Sequence, residues 1–382
     1  MQEGHSIVLS RKEFPQLESS IEIVAKDGED GRFEIHEKQH LHEKSDPKTE
    51  VPGRKILGEG TFKIAKKRTK LSSNPGGYEE DAVLTFKGAP LEEEIAIMEK
   101  VKAMNSPHLL VGKVFRYTNF KGQEKVKIHQ PLAEGGELYQ HYQLKTSKAK
   151  PFEELLKNQP DCLRISSQFI AGMIDMHAHG QAHMDIKPEN VLITGTREAK
   201  ISDFGFMTET KNLSREVVGT PGYIAPEVFN RAYNPEKADV FSSGILLYEI
   251  LQGGVESTLF SADCEFISAV SEGKPFAREI GKLEVAIQKI YPEIPTKKSV
   301  GWEKNREQLL NGEEDNAEKL KLARKMMILD MLSAIPEDRP SMEEVLPLFQ
   351  PPDEQVVVEQ KFLAPLFRLP KSSPRRAPNR LM

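Results

Sequence analysis

Between His183 and Glu227 the chain carries three short motifs in fixed order: His183-Met184-Asp185-Ile186-Lys187-Pro188-Glu189-Asn190, then Asp203-Phe204-Gly205, then Ala225-Pro226-Glu227. Alone, an Asp-Phe-Gly is an ordinary turn. In this order and at these separations the motifs ask for a fold that returns several loops to one place. Asp203 and Asn190 are hard oxygen donors suited to a hard cation such as Mg²⁺, and Lys187 lies two residues beyond the carboxylate of Asp185. The flanks specify local structure. Ile165 to Ala178 carries apolar residues at helical spacing just before the first motif, and Val191-Leu192-Ile193 is a short β-prone run directly after it.

Composition narrows the classes. The 382 residues are 38% hydrophobic, ample for a buried core. A net charge of −5, from 53 basic and 58 acidic residues, gives no nucleic-acid footprint. Cys162 and Cys264 are too few and too distant in sequence for a disulfide scaffold or zinc site, which favours a reducing, cytoplasmic compartment. No apolar run reaches the length of a transmembrane helix, and Met1 to His5 lacks the features of a secretory signal. His36, His40 and His42 lack convincing ligand spacing and read as a solvated run rather than a metal site.

The three motifs resemble the catalytic loop, metal-binding turn and activation-segment end of the eukaryotic-type serine/threonine protein kinase family. That resemblance implies an α+β, bilobal fold with a small β-rich N-lobe and a larger, mainly helical C-lobe. It also implies ATP and Mg²⁺ as cofactors and protein hydroxyls as acceptors. Phosphoryl transfer relies on positioning and on charge around the moving group. By resemblance Asp185 orients the attacking hydroxyl, Lys187 neutralises the transferred group, Asn190 and Asp203 hold metal, and Thr220 of Gly219-Thr220-Pro221-Gly222-Tyr223 bonds Asp185 and Lys187. Asp239 to Tyr248 is similar to the family's buried central helix, whose aspartate braces the catalytic loop. Pro336 to Ser341 is similar to its terminal motif, which pairs Arg339 with Glu227.

Upstream, Leu57-Gly58-Glu59-Gly60-Thr61-Phe62-Lys63-Ile64-Ala65 is similar to the glycine-rich loop over the phosphates, with Lys63 at the third glycine and Ala65 at the usual valine. Val83-Leu84-Thr85-Phe86-Lys87 resembles the third strand, making Lys87 the phosphate-binding lysine, with Thr85 near the nucleotide. Glu94 takes the place of its helix partner, although only six residues separate the two; Glu92 to Glu94 suit equally a solvated acidic first turn. Gln130 to Leu138 resembles the hinge: Pro131 and Ala133 would bond adenine through their backbones, Glu137 would meet ribose or a basic substrate residue, and Leu192 would floor the adenine site. Gln130 takes the gatekeeper position, which predicts an unusual response to ATP-site inhibitors.

The expected organisation is an extension over 1–48, a kinase domain over 49–350 with lobes 49–132 and 135–350, and a tail over 351–382. A polar stretch at 271–320 reads as an insertion able to contact a partner or, by default, as a solvated helical excursion. Residues 361–382 hold six basic residues, four prolines and no acidic residue, so they read as a mobile docking tail or simply a disordered end. Met184 replaces the arginine that in many family members receives an activation-segment phosphate, and by resemblance the common phosphosite position is occupied by Glu216, already negative, with Ser214 two residues before it. Activity without activation-loop phosphorylation follows. Glu137 and Glu189 suggest basic residues N-terminal to the target hydroxyl. A pseudokinase scaffold remains the alternative, motivated by Lys63, Ala65, Gln130 and the short link to Glu94, and a compact, diverged kinase also fits a bacterial effector acting in a host cytosol.

Overall fold

Among the described residues, paired strands dominate up to residue 133 and helices beyond it. The computed structural model describes residues 6–9, 20–25, 33–38, 56–59, 63–71, 78–86, 92–118, 124–142, 155–157, 159–229, 232–254, 283–296, 300–311, 316–351 and 366. Two units result, one of residues 1–103 with 110–133, the other of residues 104–109 with 134–382.

The first unit contains two antiparallel sheets. β1 (Ser6–Leu9), β2 (Ser20–Ala25) and β3 (Phe33–Lys38) are joined in that order. The first two are rich in β-branched and apolar residues, Ile7-Val8-Leu9 and Ile21-Glu22-Ile23-Val24. In β3, Phe33 to Lys38 mixes two apolar residues with charge, and its partner β2 supplies the ladder, from Ser20 opposite Lys38 to Ala25 opposite Phe33. His36 therefore belongs to a strand, whereas His40 and His42 lie outside the described residues.

The second sheet joins β4 (Ile56–Glu59), β5 (Lys63–Leu71), β6 (Tyr78–Phe86), β7 (Lys113–Thr118) and β8 (Glu124–Pro131) in the order β4-β5-β6-β8-β7. Alternation is clearest in β8, where Val126, Ile128 and Gln130 are buried and the intervening Lys127 and His129 are half-buried. That period of two is what a sheet packed on one face requires. Helix α1 (Glu92–Ala103) buries Ile95, Met98 and Val101 while Glu99 and Lys100 face solvent. Lys100 and Lys102 in its last turn suit the helix dipole. At its other end, the Arg116 guanidinium of β7 grips Glu92 through two bonds of 2.9 and 2.7 Å.

In the second unit α2 (Gln159–Ala178) and α3 (Pro235–Leu251) form the core. Ile165, Ile170, Met173 and Met176 of α2, with Val240, Leu246, Leu247 and Ile250 of α3, are wholly withdrawn from solvent. Asn234 caps α3 by accepting from the Glu236 amide, with Pro235 at the first helical position. A side chain at Gly244 would lie 2.9 Å from Met331 Cβ, so glycine permits the close approach of α3 to α5 (Asn316–Met331).

α4 (Trp302–Leu310) precedes α5, and α6 (Met342–Phe349) closes the unit with a Ser341–Glu344 capping box. The expectation of a solvated excursion fails for α4. Trp302, Arg306 and Leu310 recur every fourth residue and are buried. Arg306, fully buried, forks onto both Asp330 oxygens at 2.8 and 2.9 Å and also donates to the carbonyls of Pro295 and Leu366. A buried guanidinium needs all of these acceptors. Residues 271–282 of the same stretch lie outside the described residues, as do 352–365 and 367–382 of the tail.

Candidate active site

Two small antiparallel ladders set the site. β10 (Gln181–Ala182) pairs with β13 (Thr208–Glu209), while β11 (Val191–Ile193) lies between β12 (Ala199–Ile201) and β9 (Gly136–Glu137). The loop joining β10 to β11 carries the first motif, and the loop joining β12 to β13 carries Asp203-Phe204-Gly205.

Asp239, buried in α3, fixes the first loop. Its Oδ1 accepts from the Met184 amide at 2.8 Å; its Oδ2 accepts from the His183 amide at 2.6 Å and contacts His177 Nε2 at 3.2 Å. Held this way, Met184 adopts a left-handed backbone with φ of 67°, uncommon for a side chain of its kind. His183 is fully buried: its Nδ1 accepts from the Asp185 amide and its Nε2 bonds the Ser202 carbonyl at 2.9 Å, which assigns the proton to Nε2.

Asp185 is 5% exposed and ringed by donors. Thr220 Oγ1 donates to its Oδ1 at 2.6 Å, while Lys187 Nζ lies 2.9 Å from its Oδ2 and 2.8 Å from Thr220 Oγ1. Asn190 Nδ2 donates to the Asp185 carbonyl at 2.8 Å and to Oδ2 at 3.0 Å. Burial acts to raise the Asp185 pKa, but the bonds from Thr220 and Lys187 outweigh it and hold the carboxyl below its ordinary value. The group is ionised at neutral pH. Asn190 thus spends its amide nitrogen on Asp185, while its side-chain oxygen is an acceptor in chemical character.

Asp203 is exposed and, like Met184, left-handed, with φ of 59°. Its loop is joined to the first one where the Ser202 amide and hydroxyl both donate to the Asn190 carbonyl. Phe204 beneath it is buried and tilts against the His183 ring at 5.5 Å. Asn190 and Asp203 are thus two oxygen donors on adjoining loops, a donor set that fits Mg²⁺. Glu137 pairs in register with Leu192. Its pKa is raised by burial and by the neighbouring Glu189, whose Oε2 is buried without a hydrogen bond.

At the far end of the segment, Arg339 grips Glu227 through both guanidinium nitrogens, and both side chains are buried. Three hydrogen bonds without a sequence signature converge near the intervening turn. Glu249 accepts from the hydroxyls of Tyr142 at 2.8 Å and Tyr223 at 3.0 Å, and Ser242 Oγ donates to the Tyr223 carbonyl at 2.7 Å. Burial first, and then the Glu249 charge, push the Tyr142 phenol well above its usual pKa. Tyrosines and a glutamate spread over about a hundred residues give no local pattern to find.

In the first unit Gly58 pairs in register with Ala65, Ala65 and Thr85 are half-buried, Leu57 and Pro131 are exposed, and Ala133 is half-buried. Gln130 is buried and donates to the Leu110 carbonyl at 3.3 Å, so its amide is satisfied within the unit. Lys87 and Gly60 lie outside the described residues, as does the side chain of Glu94, whose backbone is in α1.

A sheet-bearing unit, a helical unit and this ring of polar side chains around Asp185 are the features that the family's catalytic-loop motif leads one to expect. The model of the protein kinase domain matches residues 63–348, three quarters of the chain, and the chain belongs to that family. The match begins after Leu57, Gly58 and Gly60. Among similar proteins, CBL-interacting protein kinase 26 of rice is 34% identical over 169 residues, 43% of this chain and 31% of that one. CBL-interacting serine/threonine-protein kinase 20 of Arabidopsis thaliana is 34% identical over 169 residues, 43% and 35% of the two chains. Serine/threonine-protein kinase PLK4 of Drosophila yakuba is 30% identical over 217 residues, 53% and 27%. The chain spans about a third of the length of these relatives. No helix among the described residues is long and apolar enough to cross a membrane.

Proposed function

We propose that the protein is an ATP-dependent serine/threonine protein kinase that works without a phosphate on its activation segment. The observation that carries this reading is the closed triangle of Asp185, Lys187 and Thr220, whose three sides are 2.6 to 2.9 Å. An ionised Asp185 orients the incoming hydroxyl and takes its proton. The hydroxyl oxygen bonds to the γ-phosphorus, the bond from that phosphorus to the β–γ bridging oxygen breaks, and ADP leaves with the electron pair. Lys187 sits where charge on the transferred group needs neutralising. Asn190 and Asp203 would hold Mg²⁺, which when bound offsets the negative charge of the phosphates. Lys87 would hold the α- and β-phosphates with Glu94 as its partner. Leu57, Gly58, Gly60, Ala65, Thr85, Gln130, Pro131, Ala133 and Leu192 would surround the nucleotide.

Thr220 and Lys187 together favour short hydroxyl acceptors. Glu137, whose proton affinity is raised by burial and then by Glu189, favours a substrate cation near it: a half-buried carboxylate beside another with an unbonded buried oxygen is relieved by a guanidinium. The working compartment is a reducing cytosol, the protein's own or that of a host. Transfer from labelled ATP with Mg²⁺ to itself and to an Arg-rich peptide, beside Asp203→Ala, tests the reading. Transfer by the parent alone is expected. Nucleotide binding with no transfer by either protein would instead favour a scaffold, the reading that Lys63 and Ala65 in the glycine-rich hairpin motivate.

A further inference from the structure

Residues 211–217 of the activation segment are not held by apolar burial. Leu213 and Val217 are 65% and 59% exposed, and Lys211, Arg215 and Glu216 also face solvent. Yet the segment must keep one path, because Gly219 and Thr220 follow directly and Thr220 closes the ring on Asp185. Gly219 leaves no latitude there: with φ of 109°, a side chain would lie 2.8 Å from the Met184 carbonyl.

What fixes the path is Tyr233, the residue before the cap of α3. Its backbone forms an antiparallel bridge with Ser214, amide to carbonyl in both directions at 2.9 and 3.1 Å. Its hydroxyl donates to the Glu216 carbonyl at 2.6 Å. The Glu216 amide turns back toward Ser214 Oγ at 3.4 Å, so residues 214 to 216 are gathered around one phenol. The ring itself is buried. Met184, where a phosphate-receiving arginine would stand, is buried and apolar, so it offers an added phosphate no positive charge.

We propose that Tyr233 is a positioning residue for phosphoryl transfer, a clasp that replaces the activation-segment phosphate by holding Ser214 and Glu216 through neutral hydrogen bonds. The proposal rests on the kinase reading and names the regulation of that site. Only Val217 and Val218 separate Glu216 from Gly219, so slack at the clasp passes directly to Thr220. Tyr233→Phe keeps the ring and the backbone bridge and deletes the phenol's bonds to the Glu216 carbonyl and to the Ser214 side chain.

The test compares phosphatase-treated parent, Tyr233→Phe and Leu213→Ser, with the unmodified state of each verified by mass. Initial rates are taken with ATP and an Arg-containing peptide varied separately, and amide exchange is followed across 208–220. For Tyr233→Phe, kcat/KM for peptide is expected to fall roughly tenfold with the loss of the phenol's hydrogen bonds. KM for ATP stays unchanged and the amides of Ser214 to Glu216 exchange faster. Leu213→Ser, equally close but outside the clasp, keeps the parent's values. Parental kinetics and exchange in Tyr233→Phe overturn the proposal, and so does an equal loss in Leu213→Ser. A parent that transfers nothing overturns the kinase reading itself, and the proposal with it; that result is distinct because no variant is needed to see it.

Discussion

Replacing Asp239 by asparagine changes almost no volume but changes the sign of one hydrogen-bonding atom, and the structure indicates which bond fails. Oδ2 serves the His183 amide and contacts His177, whereas Oδ1 serves only the Met184 amide. The new amide group therefore turns its NH₂ toward Met184, placing donor against donor. A buried donor without an acceptor costs about 1–3 kcal/mol, and bonds to a charged acceptor exceed those to a neutral one, so a loss of about 2–4 kcal/mol in stability is expected. Met184 holds φ of 67° only under that restraint, a conformation with an intrinsic cost of about 1–3 kcal/mol. Released, it carries Asp185 with it, and displacement of a reacting group by about 1 Å can cost on the order of 100-fold in rate. Asp239→Asn should thus lower kcat by roughly 30- to 100-fold while leaving nucleotide affinity near the parent's. Urea unfolding and steady-state kinetics on the same preparations check both arms. A variant as stable and as active as the parent would refute the assignment of Asp239 as the brace.

Three further outcomes follow from buried groups. Since the folded pKa of Asp185 is depressed, its contribution to stability is present above the unfolded carboxylate value of about 3.9 and is lost as pH falls through the folded one. Thr220→Ala removes one of the bonds that depress it and should move the acid limb of kcat upward, while Thr220→Ser should not; superimposable pH profiles would contradict this. Cys162 is buried, its thiol pushed up to about 11, so iodoacetamide at pH 7.5 should leave it unmodified in the folded protein by mass spectrometry. Arg339→Met should destabilise by about 3–5 kcal/mol by leaving Glu227 buried and unpaired, and adding Glu227→Leu should recover more than half of that; strictly additive losses in a double-mutant cycle would argue against a coupled pair.

The residues legible in the sequence are those whose chemistry fixes their spacing. Asp185, Lys187 and Asn190 lie within six positions of one another, so their roles constrain one loop and the sequence displays it. Ile165 to Ala178 and Val191 to Ile193 were legible because a helix face and a short apolar strand leave local periodicities. Tyr233 was not, since its partners Ser214 and Glu216 belong to another segment and tyrosine before a helix has many uses. Arg306 misled for the opposite reason: a charged residue in a polar stretch reads as a solvated face, and only Asp330, brought alongside by α5, makes its burial tenable. β3 depended likewise on β2, its own pattern being too mixed to declare a strand.

The Glu227–Arg339 pair also sets an order of events during synthesis. These residues stand 112 positions apart, so a ribosome adding 5–20 residues per second leaves the Glu227 carboxylate without its cation for roughly 6–22 s. Until Arg339 has emerged, Glu227 lacks the guanidinium that grips it in the folded chain. The nascent chain can complete the first unit, α2 and the Asp185 loop while the segment beyond Thr220 still lacks its anchor. Competence to transfer phosphate would then arrive as a late, discrete step in the life of each molecule, timed by the last helices rather than by the residues that perform the chemistry.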